Sequence, residues 1–76
     1  MKLIPISGKQ MCKLVEKLGF QKVHHVGSHA RYAHPDGRKT TIPVHANEDL
    51  GKGLLLEILQ QIKIDREEYD RLRRKV

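Results

Sequence analysis

Five histidines stand among the 76 residues of this chain. Imidazole, with an unperturbed pKa of about 6.5, can take and return a proton near neutral pH. Metal binding is the first chemistry to weigh. His24 and His25 are adjacent on a segment that reads as a strand, so they point to opposite faces. His29, His34 and His45 fall on different strands, and no CxxC or helical HxxxH spacing completes a ligand set. The sequence therefore predicts no metal site. His29 has a different context, because it follows Gly27-Ser28 at the bend between two strands. Gly27 would let a backbone or a phosphate approach closely, and a side chain at such a bend stands clear of the sheet. RNA supplies a substrate for a single exposed imidazole, since its 2′-OH is an internal nucleophile beside a phosphodiester. A base that deprotonates the 2′-OH, with cations holding the phosphate, needs no metal or cofactor. The products are a 2′,3′-cyclic phosphate and a 5′-OH. The plainer alternative is a turn histidine without a role in catalysis.

Cations for such a phosphate are present. Lys22, Arg31, Arg38, Lys39 and Lys52 are distributed around the expected sheet and its ends. Gly51-Lys52-Gly53 is too short for a P-loop and lacks its GKS/T ending. At a helix start it can still offer free N–H groups to one phosphate. The alternative for these residues is a solvated face and a flexible helix start. Phe20, Tyr32 and Tyr69 are too few for a base-stacking platform. Net charge is +6 at pH 7, which points to an anionic partner: nucleic acid, an acidic protein, or both.

The elements that must position these residues follow from periodicity and punctuation. Ser7 with Gln10 forms a capping box, and Ile6 with Met11 has hydrophobic-staple spacing. Met11, Leu14, Val15 and Leu18 then make one apolar stripe, and Gly19 stops the helix, giving helix 1 over 8–18. Strands are expected over 21–26, 29–34 and 38–45, separated by Gly27-Ser28 and by Pro35-Asp36-Gly37. On the third, Thr40, Ile42 and Val44 share one face, and Lys39, Thr41 and His45 the other. Pro43 lacks an N–H and belongs on an edge or near a strand end. Residues 47–50 read as a turn. Helix 2 begins near Gly51 and carries Leu54, Leu55, Ile58, Leu59 and Ile62 at helical spacing. Asp65 caps a shorter helix 3, with Glu68 at N3, Ile64 stapled to Tyr69, and Leu72 and Val76 on the same stripe. Its charged stretch over 67–75 reads as a solvated face.

The strands are too closely spaced for parallel crossovers, so the sheet is an antiparallel meander with helices on one face. The expected fold is α+β, α-β-β-β-α with a short C-terminal helix, the layout of a double-stranded-RNA-binding-type domain. The length allows a single domain over 1–76 with a small core, hydrophobic residues being 38% of the chain. No apolar run is long enough to span a membrane. MKLIPIS is too short and too broken by Pro5 for a signal peptide. One cysteine, Cys12, makes no internal disulfide and reads as a small core residue on helix 1. These features predict a cytoplasmic protein.

The ordered series is similar to a known family. Gly27-Ser28-His29, Tyr32, His34-Pro35-Asp36-Gly37-Arg38, Thr41-Ile42-Pro43-Val44-His45, Leu50-Gly51-Lys52-Gly53-Leu54 and Ile58-Leu59 resemble the HicA toxins. These are small mRNA-interferase partners of HicB antitoxins. The likeness extends from Ser7-Gly8-Lys9 and Gly19-Phe20 to Glu67-Glu68-Tyr69. It implies a dsRBD-like fold and a metal-independent ribonuclease that degrades mRNA and arrests growth. It implies that His29, in the family's GSH motif, is catalytic. It also implies that an antitoxin's N-terminal domain covers the site. Gly27, Ser28, Arg31, Lys52 and Gly53 are the expected RNA-binding residues around it.

The chain departs from the family's usual pattern in three places. His24, His25 and Val26 stand where basic or polar residues are common, Ala30 where a second histidine often follows the motif, and Leu54 where Thr is frequent. These changes reduce charge and polar contacts near the expected phosphate. From the sequence, neither His24 nor His25 can be assigned as a replacement contact. Two other functions are compatible with the same sequence: an RNA-binding module without chemistry, and an antitoxin-binding module whose catalysis has decayed. A metal-dependent nuclease is the least favoured reading, since no ligand set is completed.

Overall fold

The computed structural model describes residues 2–46 and 48–76. Helix α1 (Gly8–Lys17) starts where the capping box places it. The Ser7 hydroxyl accepts from the Gln10 N–H at 3.1 Å, and the Gln10 side-chain oxygen accepts from the Ser7 N–H at 3.0 Å. Two of the helix's four free N-terminal donors are thereby handled reciprocally. Met11, Leu14 and Val15 are buried, and the chain leaves the helix through Leu18 and Gly19, whose φ is +97°. A Cβ on Gly8 would lie 2.1 Å from the Pro43 carbonyl oxygen, so glycine lets the first turn of α1 sit directly on the sheet's last strand.

Three strands follow as an antiparallel meander in the order β1 (Gln21–Val26), β2 (His29–Ala33), β3 (Lys39–Pro43). The second and third are shorter than their sequence suggests. His34 keeps the β2–β3 register, its N–H donating to the Arg38 carbonyl at 2.9 Å, and the chain there passes into the Pro35-Asp36-Gly37 turn. β3 ends at Pro43, and the Val44 N–H beyond it still donates in register to the Ser28 carbonyl at 2.5 Å. β3 is an edge strand, so the donor that Pro43 lacks costs no ladder bond.

Alternation along β2 and β3 separates two faces. Ala30, Tyr32, Thr40 and Ile42 are buried, while His29, Arg31, Lys39 and Thr41 are exposed. α1 and α2 (Lys52–Ile62) pack against β3, and α3 (Arg66–Arg73) packs against α1. Leu55, Ile58, Leu59 and Ile62 of α2 complete the core under the sheet. β1 lies outside this cover. All six of its residues are exposed, and its packing is with β2.

The C-terminal part follows its caps. Lys63 ends α2 in the left-handed region at φ 57°, and the Asp65 side chain accepts from the Glu68 N–H at 2.8 Å to start α3. Tyr69 and Leu72 are buried, and the Tyr69 hydroxyl donates to the Ile4 carbonyl. In the expected 47–50 turn, Asn47 lies outside the described residues. Beyond it, Asp49 bridges to Ser7 and the Leu50 N–H reaches the Ile6 carbonyl at 2.8 Å. Cys12 is half-buried against the core, and burial pushes its thiol pKa up. Among the described residues no helix is long and apolar enough to cross a membrane.

Candidate functional site

The candidate site is built on the sheet face that the helices leave open. His29 is the first residue of β2, directly after the Gly27-Ser28 turn, and its side chain is exposed. Gly27 has φ +56°, and Ser28 is not among the positive-φ residues. That pattern is a two-residue turn with glycine at the first central position, as in a type II′ hairpin. The glycine is thus explained by its φ. A Cβ there would meet nothing within 4 Å, so close packing is not the reason for it. Ser28 is half-buried and its carbonyl receives the Val44 N–H, which ties the turn to the end of β3.

Register decides what lies around His29. Across β1 and β3, His29 pairs with Val26 and Pro43, and Arg31 pairs with His24 and Thr41. The open face therefore carries two adjacent rows, Val26–His29–Pro43 and His24–Arg31–Thr41. His24, Val26, His29, Arg31 and Thr41 line one hollow. The ladder slips between Lys22 and His24, leaving Val23 as an extra residue at a bulge. His25 pairs with Ala30, a residue of the buried face, and so is turned away from His29. The two adjacent histidines are thereby separated, with His24 on the His29 side.

A longer groove joins this face to α2. Its lining includes His29, Arg31, Lys39 and Thr41 together with Leu54 and Glu57. Leu54 brings the start of α2 to the same groove as His29. Lys52 and Gly53 precede it and are exposed, but they are not among the groove's lining residues. Gly51 caps α2 without a side-chain hydrogen bond, and its first turn holds no acidic residue. Its first-turn N–H groups stay free of side-chain caps, unlike those at Ser7 and Asp65. The structure brings His29 and Arg31 together, places Gly27 and Ser28 in the turn before them, and leaves Lys52 and Gly53 outside the groove's lining.

Arg38 is not available to a phosphate. Its Nη1 donates to the Ile62 carbonyl at 2.5 Å, its Nε donates to Asp36 at 2.8 Å, and its guanidinium lies 5.0 Å from the centre of the Phe20 ring. Asp36 accepts the Arg38 backbone N–H, and this with the guanidinium holds its carboxyl below the usual carboxylate range. His34 is structural for a similar reason. Its Nε2 lies 3.1 Å from the Leu18 carbonyl, and the Asp36 N–H donates to its Nδ1 at 3.1 Å. Its ring also packs T-shaped against Phe20, with centroids 5.1 Å apart. His45 lies apart from the open face, in a hollow with Ser7, Lys9 and Asp49.

Among the described residues no group of three His, Cys, Asp or Glu side chains is placed to hold a metal ion. The site instead offers an exposed imidazole, a second imidazole diagonal to it, and the Arg31 guanidinium in the same hollow. That set can move protons and hold one anionic group. His24 is the residue that sequence reasoning could not place. The signal was the two-residue Gly27-Ser28 turn, which pairs Val26 with His29 and so sets His24 opposite Arg31.

A search of curated protein sequences found no match. The family model described as HicA toxin of bacterial toxin-antitoxin matches residues 8–64. The match runs from the first residue of α1, through the sheet and α2, and ends before α3. It covers well over half of the chain and contains the whole open face. The chain therefore belongs to the HicA toxin family of bacterial toxin–antitoxin systems, a membership that implies an antitoxin partner.

Proposed function

We propose that this toxin is a metal-independent endoribonuclease that cleaves mRNA in the cytoplasm and is neutralised by a HicB-like antitoxin. The observation that carries the reading is that His29 and Arg31 share one hollow on the sheet face without helices. His29 takes the proton of a ribose 2′-OH. The 2′-oxygen attacks the adjacent phosphorus, and the bond to the 5′-oxygen breaks. Arg31 holds the phosphate as a charge-assisted partner, with Lys52, Gly53 and the free N–H groups of α2 receiving the neighbouring backbone. Gly27 and Ser28 set the turn that presents His29. The 76 residues act as one domain. The net charge of +6 suits both an RNA strand and an acidic inhibitor laid over the same face.

The test is chemical. A single-stranded RNA and its fully 2′-O-methylated copy are incubated with purified protein. The expected result is fragments ending in 2′,3′-cyclic phosphate from the first and none from the second. Cleavage of both would remove the 2′-OH from the mechanism. Binding without cleavage of either would leave a non-catalytic module.

A further inference from the structure

We infer that His24 is a second catalytic residue, the general acid that protonates the leaving 5′-oxygen; this rests on the ribonuclease reading above. The cleavage has two proton transfers at opposite ends of an in-line displacement. One imidazole cannot be neutral to accept the first proton and protonated to supply the second in the same step. His24 supplies the second imidazole at the right place. It pairs with Arg31, and His29 lies two residues along β2, so the histidines are diagonal neighbours on adjacent strands. Such neighbours have Cα atoms about 7–8 Å apart, with side chains leaning from the same face. Arg31 stands at the corner of this arrangement, across from His24 and two residues from His29, so a phosphate held by its guanidinium lies next to both imidazoles. His24, His29 and Arg31 line the same hollow with Thr41 and Val26, and His24 is exposed.

The step balances. The 2′-OH proton passes to neutral His29 as the O2′–P bond forms. The P–O5′ bond breaks as protonated His24 gives its proton to O5′. The products are the cyclic phosphate and a 5′-OH, and the two histidines exchange protons with water to reset. The titratable and charged side chains facing His24 on the open face are Arg31 opposite it and His29 on the diagonal, with Lys39 further along β3. From α2, Glu57 lines the groove that also holds His29 and Arg31.

The experiment compares wild type, His24→Asn and His29→Asn on two RNA substrates under single-turnover conditions. One substrate has the natural 5′-oxygen, and the other has sulfur at that bridging position, a leaving group that needs no proton. Positioned acid catalysis is worth about 10²–10⁴-fold. His24→Asn should lose that much on the natural substrate and less than about tenfold on the thio substrate. His29→Asn should lose activity on both. His24→Asn should also lose one limb of the wild-type bell-shaped pH profile. Equal losses on both substrates would make His24 a binding residue and overturn the assignment, as would wild-type rates in His24→Asn. Wild type inert on both substrates would overturn the ribonuclease reading itself. Circular dichroism of both variants checks that the exposed substitutions leave the fold intact.

Discussion

The Arg38 guanidinium donates to the Ile62 carbonyl at 2.5 Å, joining the start of β3 to the end of α2 across 24 residues of chain. Carbonyls in the last turn of a helix lack intrahelical donors, and this one is met by a side chain also fixed by Asp36 and Phe20. One of the cations that the sequence offers to RNA is therefore committed to the fold.

Arg38 and Arg31 should consequently separate stability from binding. Arg38→Ala should lower the unfolding free energy by roughly 1.5–3 kcal/mol, the range for hydrogen bonds to a charged group. It should leave the salt dependence of RNA binding unchanged. Arg31→Ala should do the reverse, removing about 0.7 from the slope of log K against log salt for a single strand. Urea unfolding and filter binding at several salt concentrations read both quantities. A lower salt slope in Arg38→Ala would contradict the division of labour.

Gly8→Ala should destabilise the protein despite the better helix propensity of alanine. The propensity gain is about 1 kcal/mol. The new Cβ would lie 2.1 Å from the Pro43 carbonyl oxygen, a backbone atom that cannot swing aside. Overpacking of this kind costs about 1–3 kcal/mol, so the clash should win and the urea midpoint should fall. A stabilised variant would show that α1 does not rest on β3 so closely.

Alkaline pH should unfold the protein through its two buried tyrosines. Burial pushes the Tyr69 hydroxyl up to about 12 from 10, and Asp49 and Asp70 add to that against the opposing pull of Arg73. Tyr32 is raised by burial and by its 2.6 Å bond to Glu16. A raised folded-state pKa contributes stability that is complete below the unfolded value near 10 and is lost as pH climbs toward the folded value. Stability measured by urea unfolding should therefore fall above pH about 10. Tyr69→Phe should flatten that decline while losing about 1 kcal/mol near neutrality with its hydrogen bond to Ile4. An unchanged alkaline slope in Tyr69→Phe would contradict the assignment.

Local chemistry made much of this fold legible. Ser7 with Gln10 and Asp65 with Glu68 gave two helix starts at the residues observed, because a cap is a contact within one turn. Gly27 and Pro35-Asp36-Gly37 gave the turns, so the meander and the exposed placement of His29 followed. The missing parts are long-range. QKVHHV does not alternate in hydropathy, so which of His24 and His25 shares the face of His29 follows only from the pairing of β1 with β2, in which His24 meets Arg31 and His25 meets Ala30. The bond from Arg38 to Ile62 and the approach of Gly8 to Pro43 join residues that sequence spacing never places together. The ends of β2 and β3 were overrun by one or two residues, although His34 and Val44 still donate in register to the Arg38 and Ser28 carbonyls.

The most direct measurement is cleavage of a long single-stranded RNA by purified wild type and His29→Ala, both in EDTA, with end-group analysis of the fragments. Cyclic-phosphate fragments from the wild type alone are expected, with the variant's rate reduced by about 10²–10⁴-fold or more. Equal cleavage by a folded His29→Ala would contradict the central role of that histidine.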